Sequence, residues 1–278
     1  MDRAIPFQKL MSPRILLDEV RRELLKLLRE RKLSRGVLSG DFHSGYCPIC
    51  EAKTIFLKRD TWLRDFYHCA RCASIPRWRA LIYVLQTHFP NWRALRIHES
   101  SPGGASSEKL RRECQDYVSS QFFQDIAPGQ TKDDVRCENL EQQTFANAEF
   151  DLVITQDVFE HILNPAQALS EIARTLKPGG AHVFTVPWYY WKPTLVRAIE
   201  ENDSIRHLEK PDYHGNPIDP NGSLVVTEWG WDLGDFIYKH SGMTTTAIKI
   251  DDKSRGIKAD FIEVFVSRKA PSGSPPSC

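Results

Sequence analysis

Two cysteine pairs, Cys47-Pro-Ile-Cys50 and Cys69-Ala-Arg-Cys72, stand eighteen residues apart, and this spacing constrains the chain more than any other feature. Two Cys-x-x-Cys knuckles at that separation supply four thiolates, the donor set that closes a tetrahedron around zinc. With all four positions taken by sulfur, no site is left for water or substrate, so the expected zinc is structural. It would hold together about thirty residues that are too few to form a core of their own. Residues 54–58 and 65–68 read as strands of such a zinc ribbon, and 41–45 as a loop. Neither knuckle opens a helix after a strand, which argues against a redox role. Cys114, Cys137 and Cys278 have no comparable partners and read as core or tail residues.

The knuckles account for a small part of 278 residues, enough chain for a sizeable second core. No apolar run approaches the roughly 18 residues that cross a bilayer, and Met1-Asp2-Arg3-Ala4-Ile5-Pro6 does not look like an export or transit signal. A cytoplasmic location is therefore expected, which also argues against pairing the cysteines as disulfides. Charge divides unevenly: residues 1–95 hold 18 Lys and Arg against 9 Asp and Glu, and the remainder holds 19 against 27. The basic part either attracts a phosphate-bearing partner or is one helix with a solvated face.

Periodicity gives the organisation. Leu17, Val20, Leu24, Leu27 and Leu28 predict an amphipathic helix over 14–32, and Pro76 opens a second helix through Trp78, Leu81, Ile82 and Leu85. Beyond Ala94 short strands alternate with helices. Strands are expected at 94–98, 117–123, 150–155, 181–186, 244–250 and 261–266, and helices at 106–114, 165–176 and 229–241. Asn164 with Pro165 and Gln167 reads as an N-cap and capping box, and Pro178-Gly179-Gly180 as that helix's stop. Strand–helix–strand repetition predicts a doubly wound, Rossmann-like α/β sheet. The expected domains are 1–45 (helix and loop), 46–92 (zinc ribbon and connecting helix), 93–269 (α/β domain with an insertion near 187–225) and 270–278 (disordered tail).

The block from Glu149 to Ile162, followed by 168–176 and Lys177-Pro178-Gly179-Gly180, resembles the class I S-adenosylmethionine-dependent methyltransferases, over roughly 95–266. The resemblance implies a seven-stranded sheet with a reversed final hairpin and S-adenosylmethionine as cofactor. It places Glu99, Ser100, Ser101, Pro102, Gly103 and Gly104 in the first motif, around the methionine end. Gln121 falls where the family has an acid for the ribose hydroxyls, Asn139 and Leu140 lie in the loop beside the adenine, and Gln156 with Asp157 form the fourth motif. Two departures stand out: the usual Gly-x-Gly-x-Gly is replaced by Ser100-Ser101-Pro102-Gly103-Gly104, and Gln121 lacks a carboxylate's charge.

Methyl transfer from a sulfonium is an in-line displacement, so a base is needed only where the acceptor must lose a proton. His161 and Asp157 are the candidates, and His161 either serves so or caps its helix. Trp188, Tyr189, Tyr213, His214 and Asn216, in the insertion, either contact the acceptor or pack the insertion down. His207 and His214 lack a carboxylate at metal-binding spacing, so no second metal is expected there. The leading expectation is a methyltransferase for a small-molecule or glycan-type acceptor. RNA is the alternative, supported by Arg77, Trp78 and Arg79 beside the ribbon through phosphate contact and stacking. A zinc-dependent interaction protein with a vestigial cofactor fold is the third reading.

Overall fold

The computed structural model describes residues 42–133, 135–202, 204–215 and 221–273, so the expected helix over 14–32, Asn216 and the last five residues of the tail lie outside it. The ribbon is an antiparallel sheet of β1 (Phe42–Cys47), β2 (Ala52–Lys58) and β3 (Tyr67–Cys69), in that order. Two expectations change here. Residues 42–45, expected as loop, pair with β2 from Phe42↔Leu57 to Cys47↔Ala52. The cause is distant: a side chain at Gly45 would overlap the Ser254 carbonyl, so this strand lies directly against the chain near 254. Of the expected strand at 65–68, Tyr67 and His68 lie in β3, whereas Asp65 and Phe66 belong to a one-turn helix, α1 (Leu63–Phe66), leading into it.

Helix α2 (Pro76–His88) starts at its proline as expected and buries Ala80, Leu81, Val84 and Leu85. Next come β4 (Arg96–Ser100), α3 (Gly104–Glu113), β5 (Asp116–Gln121), β6 (Thr131–Lys132), β7 (Val135–Cys137) and β8 (Phe150–Gln156). They are followed by α4 (Pro165–Thr175), β9 (Leu176–Thr185), α5 (Leu233–Ser241), β10 (Thr244–Ile248) and β11 (Val264–Arg268). The main sheet runs β10-β11-β9-β8-β4-β5-β7-β6. Strands β7, β5, β4, β8 and β9 are parallel, and β11 is inserted antiparallel between β9 and β10. This is the expected seven-strand order with a reversed final hairpin, plus an eighth, two-residue strand, β6, on the edge. Strand order reverses between β4 and β8, and ligands in open α/β sheets bind beyond the carboxyl ends at such a point.

Local signals held where they were self-contained. Asn164 Oδ1 accepts from Gln167 N at 3.1 Å, capping α4. The expected return bond from Gln167 is replaced: Glu141 Oε1 takes the Asn164 N–H at 2.9 Å. Two boundaries move. Leu176–Thr185 is strand, so Pro178-Gly179-Gly180 lies within β9 rather than ending the helix. Trp229, expected in a helix, lies in the strand Thr227–Gly230 and pairs with Trp188. It is 1% exposed, and its segment pairs with strands on both sides.

The ribbon is not a separate body. One core runs from Cys47, Phe56 and Tyr67 through α2 to Ile97, Leu152 and Val183 of the sheet. Lys109 of α3, itself buried, bonds Glu51 of the first knuckle at 2.9 Å and Glu113 at 2.8 Å. Gly104, at φ +72°, meets Trp78 of α2 so closely that a Cβ would overlap the indole. Gly104→Ala is therefore expected to cost about 1–3 kcal/mol, from backbone strain and displacement of Trp78. Urea denaturation checks this, and an unchanged midpoint would refute the close approach.

Candidate functional site

Two centres lie side by side. In the ribbon, Cys47 Sγ and Cys72 Sγ are 3.7 Å apart and Cys50 Sγ and Cys69 Sγ 3.9 Å. All four sulfurs fall within 4.8 Å of one another. A tetrahedron with Zn–S of about 2.3 Å has edges of about 3.8 Å, whereas a disulfide needs about 2.05 Å. Arg79 is an independent witness. It is fully buried and donates only to carbonyls and a hydroxyl: Tyr67 O at 2.8 Å, Gly256 O at 2.6 Å, and Ser74. Burial pushes its pKa down to about 10, with the thiols opposing that shift. A zinc tetrathiolate carries two net negative charges, which would balance a buried guanidinium that has no carboxylate partner. The donor set fits zinc.

The second centre is a cleft of about 1760 Å³ beyond the carboxyl ends of β4, β5 and β8. Its floor on one side is Ser101, Pro102, Gly103 and Gly104, with Gln121 and Gln156 at strand ends. No atom lies within 4 Å of where a Cβ of Gly103 would stand, so the backbone there is open to close approach. Other expected cofactor residues stand elsewhere. Glu99 and Ser100 are buried beneath the floor. The Glu99 carboxylate accepts from Tyr117 Oη at 2.5 Å, Ser107 Oγ at 2.7 Å and Gln156 Nε2 at 2.7 Å. Burial pushes its pKa up. Glu99 therefore reaches the cleft through Gln156, as a support. Asn139 and Leu140 do not line the cleft either, and Asn139 Oδ1 accepts from Glu141 N at 2.9 Å.

Asp157 follows β8 in a left-handed conformation, φ +53°, and lines the cleft. It was a candidate base, and the structure removes it from that role. Arg64 Nη2 donates to both carboxylate oxygens at 2.8 Å, Arg77 Nε lies 3.0 Å away, and Thr185 Oγ1 donates at 2.9 Å. Burial opposes ionisation, yet the two arginines and Thr185 prevail and hold the carboxyl at about 2. Being depressed, its ionised form contributes stability in full above the ordinary carboxyl range near pH 4. That contribution is lost as pH falls from about 4 to about 2. In acid titration, Asp157→Asn is expected to lose less stability than the parent over this window; equal losses would refute the pairing.

The opposite wall is aromatic and histidine-bearing: Trp62, Tyr189, Tyr213, Phe261, His161 and His214. Trp188, expected here, instead turns its Nε1–H to Gly230 O at 2.7 Å and packs edge-on against Phe265. His161 Nδ1 bonds Leu224 O at 2.8 Å, which fixes the tautomer and leaves Nε2 as an acceptor. Glu160, beside His161, has the sequence context of a solvated or capping residue, yet it is 1% exposed with neither carboxylate oxygen hydrogen-bonded. Burial, then Asp157, pushes its pKa up to about 8. Trp62, Arg64, Arg77, Trp78 and Phe261 were all missed as cleft residues; Arg64 is 93 residues from Asp157, and no local pattern marks such a pair.

An open α/β sheet in this strand order, with a cleft at its reversal point, defines a class of cofactor-binding domain. Residues 103–184 match the family model for a methyltransferase domain, and the sheet order around them is the one that the resemblance to class I S-adenosylmethionine-dependent methyltransferases implied. The dimethylglycine N-methyltransferase of Parasynechococcus marenigrum (strain WH8102) is 47% identical over 49 residues, 18% of this chain and 18% of that protein. The match thus spans less than a fifth of the curated relative. A solved structure of the 1,6-didemethyltoxoflavin-N1-methyltransferase of Burkholderia thailandensis, with bound 1,6-didemethyltoxoflavin and S-adenosylhomocysteine, is 12% identical. It covers 95% of this chain and 93% of its own, with a TM-score of 0.47. An S-adenosylmethionine-dependent methyltransferase of Mesorhizobium loti is 13% identical over 68% of this chain and 98% of its own, with a TM-score of 0.45. Among the described residues no helix is long and apolar enough to cross a membrane.

Proposed function

We propose that this chain transfers a methyl group from S-adenosylmethionine to a small-molecule or glycan-type acceptor, and that the ribbon's zinc is structural. The observation that carries this reading is the shared cleft. Arg64, Arg77 and Trp78, held by the ribbon and its helix, line the same space as Gly103, Gln121 and Gln156. The cofactor's sulfonium supplies a methyl group for in-line displacement. Ser101 to Gly104, Gln121 and Gln156 would hold it, with the Gln121 amide in place of a carboxylate at the ribose. A drug-sized ligand occupies about 300–1,000 Å³, so 1760 Å³ leaves room for a second small molecule beside the aromatic wall. Tyr189, Tyr213 and Phe261 suit a planar or sugar-like acceptor through ring contact.

The residues that suggested RNA point inward. Arg79 is buried, Arg77 is held by Asp65 and Asp157, and Trp78 lies on Gly104. Two measurements test the proposal. S-adenosylhomocysteine at 100 times its Kd should stabilise the fold by about 2.7 kcal/mol and raise Tm by about 5–10 °C. No shift at millimolar ligand would support the vestigial reading. Turnover should fall only a few-fold between 50 and 200 mM salt, where even six phosphate contacts would cost about 10³-fold in affinity.

A further inference from the structure

Glu160 presents a problem that the proposed methyl transfer does not solve. Its side chain is 1% exposed, and both oxygens lack a hydrogen-bond partner. Leaving an ionised carboxylate dry and unpaired costs several kcal/mol, so Glu160 stays protonated unless a cation meets it. Nearby arginines do not: Arg64 and Arg77 are bonded to Asp157 and Asp65 instead.

Two imidazoles converge on the same oxygen. His161 Nε2 lies 3.9 Å and His214 Nδ1 3.8 Å from Glu160 Oε1, and the three donor atoms are all within 4.8 Å of one another. These separations are too long for hydrogen bonds. A tetrahedral cation bound at about 2.1 Å would set them at about 3.4 Å, so the two imidazole–carboxylate separations need to close by about half an ångström. The rings stand nearly perpendicular, at 89°, rather than stacked.

The surroundings orient the ligands. His161 Nδ1 is bonded to the Leu224 carbonyl at 2.8 Å, the outer contact that metal-binding histidines make with their second nitrogen. His214 pairs with Ser223, next to Leu224, so one strand pair both contributes a ligand and orients the other. The Glu160 carbonyl accepts from Val226 N at 2.7 Å and Thr227 N at 3.1 Å, which pins the carboxylate's backbone to the strand that follows. His161 and His214 line the cleft, so the cation's remaining positions would face it.

We propose that Glu160, His161 and His214 form a mononuclear site for a divalent transition-metal cation of the zinc type, opening onto the acceptor side of the cleft. Three protein ligands of this kind leave at least one coordination position open, unlike the closed four-sulfur ribbon. An acceptor hydroxyl or carboxylate coordinated there would be oriented, and a hydroxyl would lose its proton more easily. This role rests on the methyltransferase reading; the binding site itself does not.

The test is metal stoichiometry on the full chain. After mild chelation that leaves the ribbon loaded, zinc titration should restore a second equivalent. Cobalt in that second site should give visible ligand-field bands without the thiolate charge transfer of the ribbon. His214→Ala, at a half-exposed position, should weaken the second equivalent by more than about 100-fold. It should leave the ribbon equivalent and the S-adenosylhomocysteine shift intact. Glu160→Gln should do the same, with Tm reporting that it folds. A single equivalent in the parent, or unchanged second-site affinity in both variants, would overturn the site. Loss of the S-adenosylhomocysteine shift in the parent would instead overturn the methyltransferase reading alone.

Discussion

Cys47→Ser or Cys69→Ser is expected to release zinc and, with it, the wall of the neighbouring cleft. Structural zinc in small zinc-finger peptides is worth an apparent 10–16 kcal/mol or so at neutral pH, comparable to a domain's whole net stability. Without it the knuckles keep only strand pairing and the shared core to hold them. Loosening them should shift α1 and the start of α2, and with them Arg64, Arg77 and Trp78 in the cleft. Arg79, buried beside the sulfurs, would be left without a counter-charge. Methyl transfer should fall by about 100-fold or more, since a displacement of one ångström already costs that much. Elemental analysis, near-ultraviolet circular dichroism and turnover check this together. A zinc-free variant with parental melting and turnover would remove the ribbon from the catalytic account.

The second large effect is expected at Arg64. Its side chain is 8% exposed, lies 2.8 Å from Asp157, and donates its Nε–H to Phe261 O at 2.8 Å. Arg64→Ala leaves a half-compensated carboxylate in the cleft, with Arg77 and Thr185 as remaining partners. Removing one member of a buried pair costs about 3–5 kcal/mol, and the surviving partners place this case at the lower end. The double variant Arg64→Ala/Asp157→Asn should recover part of the loss, which a pair acting independently would not show. Urea unfolding at pH 7 measures all three. A loss below about 1 kcal/mol would mean the pair behaves like a solvated surface bridge.

The legible parts were those whose cause is local. Each Cys-x-x-Cys knuckle carries its own geometry, and the structure brings the four sulfurs to tetrahedral spacing. Pro76 and Asn164 announce their helices because an N-terminus is satisfied by residues within one turn. The buried strand Phe150–Gln156 shows in Phe150, Leu152, Val153 and Ile154.

What the sequence by itself determined, then, was the donor set of the ribbon, the succession of strands and helices, and through its resemblance the sheet order and cofactor class. These follow from short-range rules: thiolate spacing, side-chain periodicity and capping. Tertiary structure alone decided how the pieces are used. It made residues 42–45 a strand paired with β2 and lying against Ser254, and put Trp229 in one paired with strands of the insertion. It bound Asp157 to two ribbon arginines, turned Glu99 into a support beneath the floor, and brought Glu160 and His161 to His214. Each of these depends on what lies across a cleft or core from the residue. Long-range contact of that kind sets burial, charge compensation and available lone pairs, and it leaves no periodic trace in the chain.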